Sequence, residues 1–392
     1  MRVWCSQFPN ISLFIHNLFL LRFKLCVCAQ ADLIPERCSV TNWDILVLLV
    51  SIFSHIIDVA LDINLAYRYF KHDKTLYFGL TVLFILFPAF VNTFVSVRMY
   101  VLNEDTTASS RMAVKKWTIR IFVLLFQLAP VMRYCDSLDY ALKSRRAERR
   151  NDALEQRRYY ELMLKEDSDV ALLRVFECFL EAAPQQILQV AIVLIDRGRG
   201  MVHQAASILS SLLSMGWSMA SYHRLIRFAQ HDKSNLTWSG TAMQFLWHFC
   251  VTVSRILSIA CVASRYPAGV ALASALHWAA MTAWLAAFES TQQRPEAKFI
   301  RGVFCAILGL VYIFTYLTPS EGKTRNRYLV YYPICFVENI AAIAVWAATV
   351  EDSIRFSWYF VPLLVSGIAP FVLGIVFMVL YYRWSIVPLH FF

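Results

Sequence analysis

A set of ionisable side chains stands inside stretches of this sequence that are otherwise apolar: Asp44, Asp58 and Asp62 in 43–66, Glu177 and Glu181 in 169–195, Arg255 in 237–264 and Glu338 in 328–349. Each would cost roughly 2.5–3.5 kcal/mol at the centre of a membrane helix, so an acid placed there is read as functional by default. Asp58 and Asp62 are four residues apart, as are Glu177 and Glu181. Each pair therefore shares one helix face, about a turn apart. Such stripes either line a hydrated furrow that handles charged cargo, or pair with Arg174, Arg224 or Arg255 to hold helices together; the two roles are compatible. Pro184 follows Glu181 and precedes Gln185, Gln186 and Gln189. A proline there removes a backbone hydrogen bond and predicts a helix kink, with freed carbonyls beside acids and amides that suit a substrate path.

The elements that must carry these residues are membrane helices. Hydrophobic types make up 58% of the 392 residues and charged types 16%, with 11 glycines and 12 prolines. Mean hydropathy is +0.51. This excludes disordered, collagen-like and disulfide-scaffold chains and argues against a soluble globular enzyme. Ten apolar segments emerge: 43–66, 75–102, 117–142, 169–195, 201–226, 237–264, 268–288, 299–317, 328–349 and 358–383. Most reach the roughly 20 residues that a span needs. Segment 117–142 is interrupted by Arg120 and Arg133, and 299–317 is short and runs into Thr318-Pro319-Ser320. Both are expected to dip in and return.

Loop charge supports that arrangement. With a cytoplasmic N-terminus and these two segments re-entrant, the inner connections carry 21 Lys/Arg and the outer ones 7. Ten full crossings would give at best 18 against 10. The positive-inside rule thus favours eight spans, two half-insertions and both termini in the cytosol. The expected organisation is an interfacial extension at 1–42, with a short apolar run at 11–21, a first membrane half at 43–236, a second at 237–384 and a short end at 385–392. Region 143–168 is polar and rich in helix formers, hence a solvated cytoplasmic helix or a docking site for anionic headgroups or a partner.

The net charge of +10 fits loops facing an anionic leaflet better than a nucleic-acid partner, so none is expected. Ten scattered cysteines without a CxxC pair read as small membrane hydrophobes, and no metal or cofactor is expected. Gly322-Lys323-Thr324 looks like the end of a phosphate loop, but Leu317 occupies its earlier glycine position. No HExxH or GxSxG motif occurs, so no enzyme is expected.

The decapeptide Phe176-Glu177-Cys178-Phe179-Leu180-Glu181-Ala182-Ala183-Pro184-Gln185 resembles the FES-x-LEA-x-PQ signature of the XK-related membrane proteins. Ser221-Tyr222-His223-Arg224, Phe245-Leu246-Trp247-His248 leading to Arg255-Ile256, Gly322-Lys323-Thr324-Arg325, Tyr381-Tyr382-x-Trp384 and the Asp58-x3-Asp62 spacing are similar to further family stretches, in the family's order. Ser254 stands where the family usually has proline.

This resemblance implies an all-α membrane protein of eight spans and two re-entrant half-helices in two pseudo-symmetric halves. It also implies ATP-independent, bidirectional phospholipid scrambling at the plasma membrane, exposing phosphatidylserine as in engulfment of apoptotic cells. The family's headgroup path would map onto Asp44, Asp58, Asp62, Asp169, Glu177, Glu181, Arg224, Arg255 and Glu338. Physically, Arg224 and Arg255 would meet phosphate and the acids the headgroup amine, in steps that need no energy input. Phospholipids are the expected partners, with a single-span chaperone or a lipid-transfer protein as a protein partner. The alternative is a non-catalytic scaffold whose buried charges only stabilise helices. The sequence ends eight residues after Trp384, so activation by caspase removal of a long C-terminal tail is not expected.

Overall fold

The computed structural model describes residues 38–103, 129–196, 201–229, 237–288, 296–317 and 325–384. The extension before 38, segment 117–128, Asn10, Asn235, Gly322-Lys323-Thr324 and 385–392 lie outside them. Every element among the described residues is helical. In chain order these are α1 Asn42–Lys71, α2 Thr75–Asn103, α3 Ala129–Arg149, α4 Ala153–Glu177, a π-helical turn Cys178–Ala182, α5 Ala183–Ile195, α6 Met201–Ala229, α7 Trp238–Ala263, α8 Pro267–Phe288, α9 Glu296–Val311, α10 Arg325–Thr349, the short α11 Asp352–Arg355 and α12 Phe360–Trp384.

Seven helices among the described residues are long and apolar enough to cross a membrane, counting Ala153–Ile195 as one. With α1 and α2 these are α4 continued through α5, α7, α8, α10 and α12. At 29 residues α6 has the length, but its serines and basic end dilute its apolar character. The 16-residue α9 reaches about 24 Å at 1.5 Å per residue, short of the roughly 30 Å hydrocarbon layer. The chain then turns at Tyr312–Phe314 and leaves helical geometry.

Region 143–168 is not one helix. Residues Arg150–Asp152 break it into the end of α3 and the start of α4. Asn151 adopts φ 58°, a left-handed conformation that asparagine tolerates better than most residues. The Asp152 carboxylate then caps α4 by accepting from the Glu155 N–H at 3.0 Å. The irregularity expected at Pro184 takes the form of the π turn Cys178–Ala182 just before it. Proline offers no N–H to the carbonyl four residues back and crowds it, and a wider turn relieves both problems.

Contacts among these elements define two compact units, one comprising residues up to Glu181 with Leu209–Phe245 and the chain from Tyr381, the other Ala182–Ile208 with Leu246–Leu380. In the first, Val40 and Leu48 pack with Tyr134, Ala141, Met163, Leu164 and Val170, so α1 seals the α3–α4 hairpin. In the second, Val190 and Leu194 of α5 meet Ala260 and Cys261 of α7, Trp346 of α10 and Leu363 of α12. Gly367 of α12 sits where a Cβ would collide with the Ile343 side chain. The outward faces of α1 and α12 carry large apolar side chains such as Phe53, Ile57, Ile63, Val365 and Val376, the pattern of helices solvated by lipid.

Candidate functional site

The acid pairs of α1 and α4 do face one another inside the first unit. Arg174 of α4 is buried and sends Nη1 to Glu177 Oε2 at 2.6 Å and to His55 Nδ1 at 2.9 Å. An arginine only donates, so His55 Nδ1 is the acceptor. Asp58 Oδ2 lies 3.8 Å from Arg174 Nη2. Asn92 of α2 donates to the second Glu177 oxygen at 3.4 Å. Glu181, on the π turn and only half-buried, meets Asp62 side chain to side chain. One cation thus sits beside Asp58 and Glu177, while Asp62 and Glu181 lie a turn further along.

Asp169 belongs to a second cluster. Arg133 of α3 is 0% exposed and donates from Nη1 to Glu166 at 2.6 Å and to Asp169 at 2.9 Å. Its Nη2 reaches the Ser96 carbonyl of α2 at 3.2 Å. Ser137 donates to Asp167 at 2.7 Å beside it. These contacts satisfy a buried guanidinium, which is stable only when paired and hydrogen-bonded.

Two expected path residues have local partners. Asp44 accepts from the Thr41 N–H at 2.7 Å and from its hydroxyl at 3.0 Å, forming the capping box that starts α1. The Arg224 guanidinium lies 4.1 Å over the Trp238 ring and donates to the Thr241 hydroxyl at 2.9 Å, pinning the end of α6 to the start of α7.

In the second unit Arg255 is the hub. It donates to Asn339 Oδ1 at 2.9 Å and to the Ile313 carbonyl at 2.9 Å, and pairs with Glu338 Oε2 at 2.9 Å. Asn339 in turn donates to Ser254 at 2.9 Å, and Ser254 donates to the Gly367 carbonyl. The serine at this position therefore links α7 to α12 by a bond that proline could not make. The other Glu338 oxygen lies 2.7 Å from His277 Nδ1. Non-helical residues 312–317 are held by the same group of side chains. The Tyr312 carbonyl accepts from Tyr331 at 2.8 Å and from His277 Nε2 at 3.1 Å, and the Leu317 carbonyl accepts from Tyr312 at 2.6 Å. Rings of Tyr312, Tyr316 and Tyr328 close around this segment at centroid distances of 4.7 and 5.0 Å.

Asp58, Asp62, Glu177 and Glu181 are thus brought together in the first unit, as Arg255 and Glu338 are in the second. Asp44, Asp169 and Arg224 stand apart, each in its own contacts. The sequence reading missed Arg133 with Glu166, and also His55, Asn92, His277 and Asn339. In the sequence Arg133 only interrupts an apolar segment. The signal that could have found it is the arginine's place within an otherwise apolar segment, where a charge needs a partner from the same chain.

Together these features define a multi-span helical membrane protein whose interior is laced with ion pairs. Comparison with known proteins gives the family. The profile of the XK-related protein family matches residues 46–387, and the chain belongs to that family. It is similar to "Cell death abnormality protein 8" of Caenorhabditis briggsae, at 24% identity over an alignment of 385 residues that covers 91% of this chain and 81% of that one. The protein of the same description from Caenorhabditis elegans is 25% identical over 380 residues, covering 91% of this chain and 82% of the relative.

Proposed function

We propose that this XK-related protein is an ATP-independent, bidirectional phospholipid scramblase of the plasma membrane. In this reading it exposes phosphatidylserine on dying cells, the context that the relatives' name suggests. The observation that carries the reading is the Arg255–Glu338 pair. Its arginine is buried, while its carboxylate side chain stays 38% exposed within an otherwise apolar helix. An exposed acid held beside a fixed cation can exchange its contacts with a zwitterionic headgroup while the acyl chains remain in lipid. The process equilibrates leaflets and makes or breaks no covalent bond, so no enzyme activity and no cofactor is proposed.

The proposed topology has eight crossings, with α6 as the eighth, and two half-insertions, one ending in α3 and one formed by α9 with 312–317. Buried side chains donate to the carbonyls of Tyr312, Ile313 and Leu317, and non-helical backbone at membrane depth needs that protection. Both termini then face the cytosol, and 143–168 offers its basic surface to anionic lipid or to a lipid-transfer or single-span partner.

A scaffold role is the second reading. It is favoured by Arg133, Arg174 and Arg255 each being engaged by carboxylates of the same chain, which is what helix association alone requires. Reconstitution into vesicles with a fluorescent phospholipid on both leaflets separates the two. A scramblase lets dithionite bleach nearly all of the fluorescence, whereas a scaffold leaves the inner-leaflet half protected, as in empty vesicles.

A further inference from the structure

Glu338, already assigned to headgroup passage, has two further neighbours in the second unit that headgroup passage alone does not explain. His277 comes from α8, and Cys335 and Glu338 come from α10. One donor atom from each lies within 4.8 Å of the others. The Cys-x-x-Glu spacing puts both α10 residues on one helix face, and that face is turned toward His277. We propose that these three residues form a binding site for a zinc-class divalent cation that ties α8 to α10. The site shares Glu338 with the proposed headgroup path, but its test reads metal binding and not lipid movement.

The hydrogen bonds around the imidazole carry the argument. His277 Nε2 lies 3.1 Å from the Tyr312 carbonyl, which can only accept, so that nitrogen bears the hydrogen. A backbone carbonyl on the far nitrogen is the arrangement that fixes the ring of a metal-bound histidine. The free ring nitrogen, Nδ1, then faces Glu338 Oε1 at 2.7 Å. In the neutral ring both of these atoms are acceptors, and two acceptors at that separation need a cation: a proton or a metal. Tetrahedral zinc asks for donors roughly 3.3–3.6 Å apart at its usual bond lengths. That lies between the 2.7 Å imidazole–carboxylate contact and the 4.8 Å limit of the trio, within reach of small side-chain rotations.

Arg255 does not displace the ion. It engages the other carboxylate oxygen, Oε2, at 2.9 Å, leaving Oε1 to the trio. A divalent cation would replace the proton between imidazole and carboxylate together with the thiol proton of Cys335. The net charge of the cluster is then unchanged, so binding adds no uncompensated charge to the interior. One nitrogen, one sulfur and one oxygen donor suit zinc and its analogues, whereas calcium and magnesium take oxygen ligands. The partial exposure of Glu338 leaves a fourth position for water.

The test uses full-length protein in detergent, freed of metal by a chelator and titrated with Co2+ as a spectroscopic probe. The expected result is one Co2+ per chain, a near-ultraviolet thiolate-to-cobalt band, and loss of that band when Zn2+ is added. C335S should remove the band, and H277Q should weaken binding at least tenfold. Thermal unfolding of each variant without metal shows whether it is folded. If a variant is not, the wild-type titration alone decides. Absence of a thiolate band in the wild-type protein would overturn the proposal, as would an unchanged band in folded C335S.

Discussion

Breaking the Arg174–Glu177 pair should destabilise the first unit, and the geometry predicts by how much and in what order. At an effective dielectric constant of about 20, the 2.6 Å contact with Glu177 has a gross attraction of about 6 kcal/mol, and the 3.8 Å contact with Asp58 one of about 4 kcal/mol. Removing one partner of a buried pair costs about 3–5 kcal/mol net. Glu177→Gln keeps an acceptor for Nη1 and leaves Asp58 near Nη2, so its cost belongs at the lower end, about 3 kcal/mol. Arg174→Gln removes the cation that faces both acids, so its cost belongs at the upper end, about 5 kcal/mol. In the double variant both charges are gone. It should be more stable than the sum of the single effects predicts, with a coupling of about 1–3 kcal/mol. Denaturant unfolding of the four proteins in one detergent measures the cycle. Additivity within about 0.5 kcal/mol, or a Glu177→Gln cost larger than that of Arg174→Gln, would refute the pairing.

Other outcomes follow from the same structure. Arg133→Gln leaves Glu166 and Asp169 facing each other without the guanidinium between them and should lower the melting temperature well below that of Asp169→Asn, as read by thermal unfolding of purified protein. Asp44→Ala removes both bonds that Thr41 makes to the Asp44 carboxylate but keeps the Asp44 N–H that the Thr41 side chain caps, and should cost no more than about 1 kcal/mol, measurable in the same assay, with no change in lipid movement. Asn235, in the connection placed in the cytosol, should carry no glycan, and neither should Asn10; a mass shift on glycosidase treatment of protein from cells would reverse the proposed orientation.

The helices were legible because a bilayer imposes length. The segment read as 237–264 is observed as Trp238–Ala263, and that read as 75–102 as Thr75–Asn103. The break at Arg150–Asp152 was missed since strong helix formers flank it on both sides, and its cause is local: one asparagine in a left-handed conformation and one aspartate cap. Pro184 announced an irregular backbone, but nothing in its identity separates a kink from a π turn. Spacing placed Asp58 with Asp62 and Glu177 with Glu181 on shared faces. It did not reveal which acid would meet Arg174, because His55 and Asp58 approach it from a helix more than 100 residues earlier. The same distance in sequence hid His277, an isolated histidine on an apolar helix whose partners Tyr312 and Glu338 lie 35 and 61 residues away.

The central claim, that exposed acids in this membrane protein pass phospholipid headgroups between leaflets, is tested most directly by the dithionite assay on wild-type protein and Glu338→Gln. The two are reconstituted at equal density, after thermal unfolding has shown both to be folded. Near-complete bleaching with the wild-type chain, slowed several-fold by the variant, is the predicted result. Bleaching that stops at half in wild-type vesicles would contradict the account and leave the scaffold role in its place.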